Sequence, residues 1–176
     1  IALDVLAPVL VYSALSSRDF HLADHVPLLI GGTVLIFGGG LLAWPLARLF
    51  GAQPRTLVPV VMFNNSGNMG LPLALLAFGP SNFGAAVALF SVCNLFHFSV
   101  GARITSPSAR TRALLTSPLM IGTALGFASA LTDVRPPDVL LSGLKLLGDA
   151  LLPMMLFALG VRLTSLTRAG LGLGLV

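Results

Sequence analysis

Charged residues are unusually scarce in this chain, and their scarcity indicates its class. Only 9% of the 176 residues are charged, whereas 56% are hydrophobic and the mean hydropathy is +0.96. A soluble domain carries about 25% charged residues, because it covers its core with a solvated surface. The deficit extends along the whole chain. The composition therefore excludes an ordinary soluble domain and indicates a protein that crosses a membrane several times.

Several residue types on which enzymes and metal sites depend are rare or missing. The chain has no glutamate, and Cys93 is its single cysteine, so no internal disulfide and no pair of thiols at metal-ligand spacing can form. Neither a His-Glu-x-x-His nor a Gly-x-Ser-x-Gly motif occurs. We therefore expect a protein that is not an enzyme, with no catalytic residues, no metal site and no cofactor. The net charge of +4 does not predict nucleic-acid binding, since the basic residues lie mainly between apolar runs.

Six apolar runs are long enough, or nearly so, to cross a bilayer, which takes about 20 residues of helix. The gaps between them carry proline, glycine and polar residues, as loops do. A seventh run begins near Gly170. The predicted fold is an all-α polytopic transmembrane helical bundle. Its six predicted spans are Ile1–Ser17, Val26–Leu49, Thr56–Phe78, Asn82–Gly101, Ala113–Leu131 and Asp138–Leu163.

The arginines predict which side of the membrane each loop faces. Seven of them lie at the ends of the second and sixth spans or in the gaps after the second, fourth and sixth, whereas two lie in the intervening gaps. The positive-inside rule places the richer side in the cytoplasm, so the loop of residues 102–112 is predicted to be cytoplasmic. The seven are Arg48, Arg55, Arg103, Arg110, Arg112, Arg162 and Arg168, and the two are Arg18 and Arg135.

The first and sixth spans resemble each other. At an offset of 145 residues, Asp4 aligns with Asp149 and Pro8 with Pro153. The two copies are five spans apart, so they cross the membrane in opposite directions, which is typical of the inverted repeats of secondary transporters. A chance match in so biased a composition is the alternative. A five-helix repeat predicts an intact protein of ten helices, with residues 1–101 as helices two to five, residues 102–112 as the connecting loop, and residues 113–176 as helices six, seven and the start of eight.

The most polar part of any span is FNNSGNMGLPLALLAFG, residues 63–79. Pro72 has no N–H to donate to the carbonyl of Asn68, and the neighbouring glycines weaken a helix. We therefore expect the third span to break around Gly67–Pro72, near mid-membrane. Backbone without helical partners is tolerated at that depth only where it is buried in protein or lines a wet cavity.

A broken helix exposes two kinds of binding group. The second half, beginning near Leu71, would offer free N–H groups and a positive dipole end to an anion, and the unwound backbone would offer carbonyls to a cation. Amide and hydroxyl side chains add donors. The predicted substrate-binding residues are Asn64, Asn65, Ser66, Gly67, Asn68, Gly70, Leu71, Pro72 and, in the fourth span, Asn94. The alternative is helix packing, with glycines allowing close approach and asparagines bonding between helices.

Three ionisable residues inside the spans are candidates for coupling transport to an ion. Asp149 and its repeat counterpart Asp4 lie in apolar segments, where a charge is costly and is functional by default. Lys145 is expected either to pair with Asp149 one turn along or to reach toward the interface. A purely structural pair is the alternative for Asp149, and a structural hydrogen bond is the alternative for His97.

Three stretches resemble the auxin efflux carrier family. NNSGNMGLPL (Asn64–Leu73) is similar to its fourth helix, TSPLMIGTALGFA (Thr116–Ala128) to its sixth, and LGDALLPMMLFALGVRL (Leu147–Leu163) to its seventh. The resemblance covers nearly the whole chain, from the second helix to the start of the eighth. It implies ten helices in two inverted five-helix repeats, with a broken crossover helix in each. Plant members carry Asn-Pro-Asn at the crossover, where this chain has Asn64 and Asn65 in succession.

The resemblance implies a secondary transporter of a small organic anion. Substrates of the family are auxins in plants and malate- or malonate-like acids in bacteria. We expect a multi-pass protein of the bacterial inner membrane, embedded in the lipid bilayer and acting as an efflux carrier by alternating access. Transport coupled to Na⁺ or H⁺ and assembly into a homodimer are both open alternatives. Related bile-acid sodium symporters share the architecture, so sodium-coupled symport of a larger anion is one alternative. A non-transporting membrane scaffold or sensor is another.

Overall fold

The structure, a computed structural model, describes residues 2–106 and 116–164. In this part of the chain every regular element is helical, as predicted. Short π-helical turns lie at Ala2–Leu6, Ser66–Gly70 and His97–Gly101, and a 3₁₀ turn lies at Pro80–Asn82. The α-helices are α1 (Ala7–Leu15), α2 (Leu22–Leu49), α3 (Pro54–Met62), α4 (Leu71–Phe78), α5 (Phe83–Phe96), α6 (Ala102–Thr105), α7 (Pro118–Thr132), α8 (Asp138–Asp149) and α9 (Leu151–Thr164).

These elements form helical segments that correspond to the six predicted spans. Three segments are long and apolar enough to cross a membrane, namely Leu22–Leu49, Pro80–Thr105 and Asp138–Val161. Two others, Asp4–Leu15 and Pro118–Thr132, are shorter apolar helices, and the remaining span is divided between α3 and α4. The all-α polytopic prediction is confirmed. The fourth span extends through α6 into the predicted loop of residues 102–112; the rest of that loop and the run near Gly170 lie outside the described residues.

The helices pack in two groups. In the first group, α1 lies against both α7 and α8, and in the second, α2 packs on α3 and α5. The groups meet where α1 contacts α5 and where the π-helical turn Ser66–Gly70 contacts α9. A core at this boundary contains fully buried Leu10, Leu15, Leu71, Val87 and Leu151. The broken third span therefore lies next to the boundary between the groups.

Glycines let α1 approach both of its partners closely. A Cβ atom at Gly122 of α7 would lie 2.7 Å from the carbonyl oxygen of Pro8, and one at Gly148 of α8 would lie 2.7 Å from the Cα of Leu10. Gly122 and Gly126 form a Gly-x-x-x-Gly motif, which permits such approach between membrane helices. The backbone of α1 is therefore in direct contact with the backbones of α7 and α8.

Polar contacts show which loops share an end of the bundle. Arg18, after α1, donates to both carboxylate oxygens of Asp138 at the start of α8, at 2.9 and 3.0 Å. Arg135 donates to the carbonyl of Ser17 (3.1 Å) and pairs with Asp133 (2.7 Å). Because the Arg18–Asp138 pair is well exposed, it contributes less than about 1 kcal/mol. We refer to this end as the Arg18 end; the assignment of the opposite end to the cytoplasm stays a prediction.

Prolines interrupt both copies of the predicted repeat at equivalent places. Pro8 directly follows the π-helical turn before α1, and Pro153 follows the junction of α8 and α9 at Ala150. Neither proline has an N–H to donate to the carbonyl four residues earlier, which belongs to Asp4 in one copy and Asp149 in the other. The two copies therefore share a helix irregularity as well as sequence. The inverted relation between five-helix units stays a prediction.

Candidate functional site

The third span breaks at residues 63–65, between α3 and the π-helical turn Ser66–Gly70. Phe63 is extended (φ −119°, ψ 100°). Asn65 (φ −77°, ψ 60°) is the centre of an inverse γ-turn, closed by the Ser66 N–H donating to the Asn64 carbonyl at 2.9 Å. A break in this span is therefore present, but the predicted position around Gly67–Pro72 is wrong.

Residues 66–72 stay helical because the hydrogen-bond spacing widens there. The N–H of Gly70 donates to the carbonyl of Asn65 (3.1 Å), five residues back, and the N–H of Leu71 donates to the carbonyl of Ser66. Pro72 then falls in the first turn of α4, where a missing N–H is tolerated. The prediction that free N–H groups begin near Leu71 is therefore wrong.

The free N–H groups of the second half lie earlier, in its first turn. Within the described residues, the N–H groups of Gly67 and Asn68 have no backbone partner. Such groups carry the positive end of the helix dipole and bind anions. At the other side of the break, the last carbonyls of α3 carry the negative end. The break therefore presents complementary groups to an anion and to a cation.

A cleft of about 530 Å³ opens beside the break. Its polar lining comes from Asn64, Asn65 and Ser66, and the Ser66 hydroxyl lies within hydrogen-bonding reach of the Cys93 thiol. The described residues that line the cleft include no charged side chain. An apolar wall with a few polar groups at one end is typical of sites for organic molecules. The wall includes Gly32, Leu35, Ile36, Val61, Met62, Leu71, Leu89 and Phe90.

The part of this wall that α2 contributes is not predicted by the sequence. Thr33 is polar and lies in this part of α2, but its hydroxyl donates to the carbonyl of Leu29 in the preceding turn, so it does not mark a site. A signal was nevertheless present in its glycines, since they allow close helix contact. A Cβ atom at Gly40 would lie 2.6 Å from the Sδ of Met62, near the end of α3. Glycines on α2 therefore bring it against the helix that ends at the break.

The structure separates the predicted site residues onto two faces of the break. Gly70 and Leu71 line the cleft with the Asn64–Ser66 group. Gly67 is outside the lining: a Cβ there would lie 3.1 Å from Cε2 of Phe90 and 3.9 Å from Cε of Met155. This contact favours the packing alternative for Gly67. Pro72 is buried outside the cleft lining, and Asn68 is half-buried on the turn that contacts α9.

Asn94 of α5 lies outside the cleft lining as well. Its amide nitrogen is buried and has no hydrogen-bond partner among the described residues. A buried donor without a partner costs roughly 1–3 kcal/mol, so such groups occur in native proteins mainly where a function or further partner explains them. Its role in substrate binding stays a prediction.

The ionisable candidates occupy three separate places. His97 stacks on Phe63 (ring centroids 4.7 Å apart) and on Phe98 (5.5 Å), which favours a structural role beside the break. Asp4 is exposed near the start of the described chain. Asp149 is exposed and lines a second cleft together with Lys145.

The expected ion pair between Lys145 and Asp149 is absent from the structure. No salt bridge or hydrogen bond joins the two side chains, both of which lie in the described part of the chain. A lysine placed four residues before an acidic residue is the weaker orientation for such a pair. Of the two alternatives for Lys145, the pair with Asp149 is therefore not formed, and the reach of its side chain toward the interface stays a prediction.

Comparisons with known proteins agree with a membrane transport role. Residues 107–169 match a family model described as "Membrane transport protein". The chain is 28% identical over 189 residues to a protein of Rhizobium meliloti (strain 1021) named "Putative malonate transporter". That match covers 92% of this chain and 58% of the relative, so the chain spans little more than half of the relative's length. No solved structure matches the chain at a significant level.

Proposed function

We propose, on the assignment to the auxin efflux carrier family that both comparisons support, that the protein is a secondary transporter of an organic anion. It would act as an efflux carrier in the bacterial inner membrane by alternating access. The observation that carries the proposal is the break at residues 63–65, where two asparagines and a serine lie beside a cleft in the third predicted span. Irregular backbone at that depth is tolerated where it lines a cavity or is buried in protein, and it marks the binding sites of many transporters.

The chemistry of the break suits a carboxylate. The amide groups of Asn64 and Asn65 and the hydroxyl of Ser66 can donate to carboxylate oxygens, and the positive dipole end of the following helix adds to the attraction. Since the part of the lining that the structure describes has no arginine or lysine, these partial charges would take the place of a full positive charge. The substrate's apolar part would contact the wall formed by α2 and α5.

Alternating access requires one part of the protein to move relative to another. The two helix groups provide such parts, because each has its own internal packing and the groups meet over a narrower boundary. The π-helical turn Ser66–Gly70 contacts α5 of the second group on one side and α9 on the other, so it lies at that boundary. A substrate held at the break would therefore lie where relative movement changes access.

Exchanging single asparagines decides which face of the break binds the anion. We expect Asn65→Leu to lower kcat/KM for carboxylate flux in proteoliposomes of the full-length protein by about tenfold to a hundredfold. A hydrogen bond to a charged group contributes about 1.5–3 kcal/mol, and 1.4 kcal/mol corresponds to a factor of ten. Asn68→Leu is the matched variant on the other face, and we expect a smaller effect. Normal flux in both variants would remove the broken helix from the binding site.

The size of the cleft favours a second candidate, sodium-coupled transport of a larger anion. A cleft of about 530 Å³ with an apolar wall exceeds the needs of a three-carbon diacid such as malonate. We expect uptake of a monocarboxylate with an apolar body to exceed that of malonate at equal concentration. Replacing Na⁺ by choline tests the coupling: unchanged uptake supports the uncoupled carrier, and lost uptake supports symport. A clear preference for malonate would contradict the size argument.

A further inference from the structure

A second cleft, of about 400 Å³, lies at the Arg18 end of the bundle. Helices α1 and α8 of the first group form one wall, and the starts of α2 and α5 with the turn Pro80–Asn82 form the other. No residue that lines this cleft lines the one at the break. The cleft therefore separates the two helix groups at a second place, nearer to one membrane surface.

The wall contributed by α8 is a polar stripe. Asp138, Ser142, Lys145 and Asp149 all line the cleft, and their spacing of four, three and four residues places them on one helix face. This face belongs to the membrane-spanning segment Asp138–Val161. The charged residues of this helix therefore lie in the cleft, where water can reach them, and most of its apolar residues lie outside the cleft.

Lys145 is the cation of this cleft that remains available to a ligand. The charge of Arg18, the other cation in the lining, is matched by its bidentate contact with Asp138. No hydrogen bond or ion pair is recorded for Lys145 within residues 2–106 and 116–164. A charged side chain in a membrane segment that faces a cavity marks a pathway or a binding site.

The acidic residues around Lys145 limit what it can bind. Asp149 lies one turn along α8 from Lys145, and Asp19 and the α2 residue His25 line the same cleft. A ligand with one negative charge can contact Lys145, whereas a second charge would meet these carboxylates. Ser142 and Ser81 offer hydroxyl donors on either side.

We propose that this cleft is a second anion-binding site, in which Lys145 holds the carboxylate of a monoanionic substrate between the bulk solution at the Arg18 end and the broken helix. The site rests on the proposed transport function and adds a binding step on one side of the membrane. Asp149 would compete with the substrate for Lys145, so that binding stays weak enough for release. In this proposal, the charged residues of α8 select monocarboxylates over dicarboxylates.

Selective chemical labelling tests the site. Lys145 is the single lysine of this chain, so its modification by a membrane-impermeant amine-reactive ester can be followed by mass spectrometry of one peptide. The full-length protein in phosphatidylcholine vesicles would be labelled from each side in turn, with butyrate, butyramide or malonate present. We expect labelling from the Arg18 side alone. Butyrate at about ten times its Kd should slow labelling about tenfold, whereas butyramide should not and malonate should do so less.

Variants separate this proposal from the site at the break. Protection by butyrate should persist in Asn65→Leu, because Lys145 would contact the carboxylate directly. Lys145→Met should raise the apparent KM for transport from the Arg18 side about tenfold, and Lys145→Arg should keep the KM near that of the parent protein. Arg103→Met is the control: it removes a cation of α6 and should leave the KM unchanged. Absence of protection, or equal protection by butyramide, overturns the proposal. Protection that disappears in Asn65→Leu also overturns it but leaves the broken-helix site standing.

A further outcome is normal flux in both Asn65→Leu and Asn68→Leu, combined with protection of Lys145 by butyrate. That result would support the cleft at the Arg18 end and remove the site at the break. The two proposals therefore fail in distinguishable ways.

Discussion

Replacing Gly148 by alanine is expected to destabilise the protein by about 1–3 kcal/mol, and replacing it by leucine to prevent the helices from assembling. The new Cβ would lie 2.7 Å from the Cα and 3.0 Å from the nitrogen of Leu10. These are backbone atoms of a helix, so they cannot turn aside as a flexible side chain can. Overpacking in a dense interior carries a penalty of this size, and a larger side chain increases it.

Gly143 provides the matched control on the same helix. A Cβ there would meet no atom within 4 Å, so Gly143→Ala should be neutral or slightly stabilising, since alanine favours a helix by up to about 1 kcal/mol. The measurement is thermal unfolding of both variants in detergent micelles, with the yield of folded protein recorded for Gly148→Leu. Equal melting temperatures for the two alanine variants would contradict the close contact between α1 and α8.

The double substitution Asn64→Ala, Asn65→Ala is expected to lower carboxylate transport at least about a hundredfold while leaving the protein folded. Each amide that donates to a carboxylate contributes about 1.5–3 kcal/mol, so losing two removes a factor of roughly 10² to 10⁴. Alanine also favours helix at both positions and so weakens the tendency of the chain to break there. Both side chains are exposed in the cleft, so no packed core is lost.

Flux and folding must be measured on the same preparation. Gln53→Ala is the control, because this exposed amide precedes α3 at the opposite end of that helix from the break. It should transport within about twofold of the parent protein, a difference well below that for one lost charge-assisted hydrogen bond. If the double variant folds and transports like the control, the amides of the break do not bind the substrate.

The spans could be read from the sequence because their signal is strong and local. Long apolar runs separated by prolines, glycines and arginines predict membrane helices, and segments such as Leu22–Leu49 and Pro80–Thr105 match the predicted runs to within a few residues. The interruption of the third span was also predictable, because asparagines, glycines and a proline rarely occur together in a continuous helix.

The position of the break was not predictable from the same residues. Proline and glycine suggest that Gly67–Pro72 unwinds, yet a change from four- to five-residue hydrogen-bond spacing accommodates them within the helix. The backbone instead turns at Asn65, where asparagine side chains compete with helical hydrogen bonds. Sequence periodicity does not reveal such a compensation, because it depends on the packing of the turn against Phe90 and Met155.

The partners of charged residues were harder still to predict. Lys145 and Asp149 are one helical turn apart, so the sequence offers a pair between them as one of two alternatives for Lys145. The structure directs both into a cleft that α1, α2 and α5 complete. The polar stripe of α8 is visible in the sequence, but which side chains of other helices share its cleft follows from the tertiary packing of distant segments.

The glycine contacts of α1 divide the molecule into stiff and compliant regions. Where backbones touch, at Gly122 and Gly148, no side chain is available to adjust, so α1, α7 and α8 must be displaced together. At the boundary near Gly67, by contrast, the neighbours are the ring of Phe90 and the thioether of Met155, and methionine changes rotamer readily. Strain applied to the protein would thus be absorbed beside the proposed binding site, and replacing Met155 by a stiffer side chain such as isoleucine should slow turnover without changing which molecule is recognised.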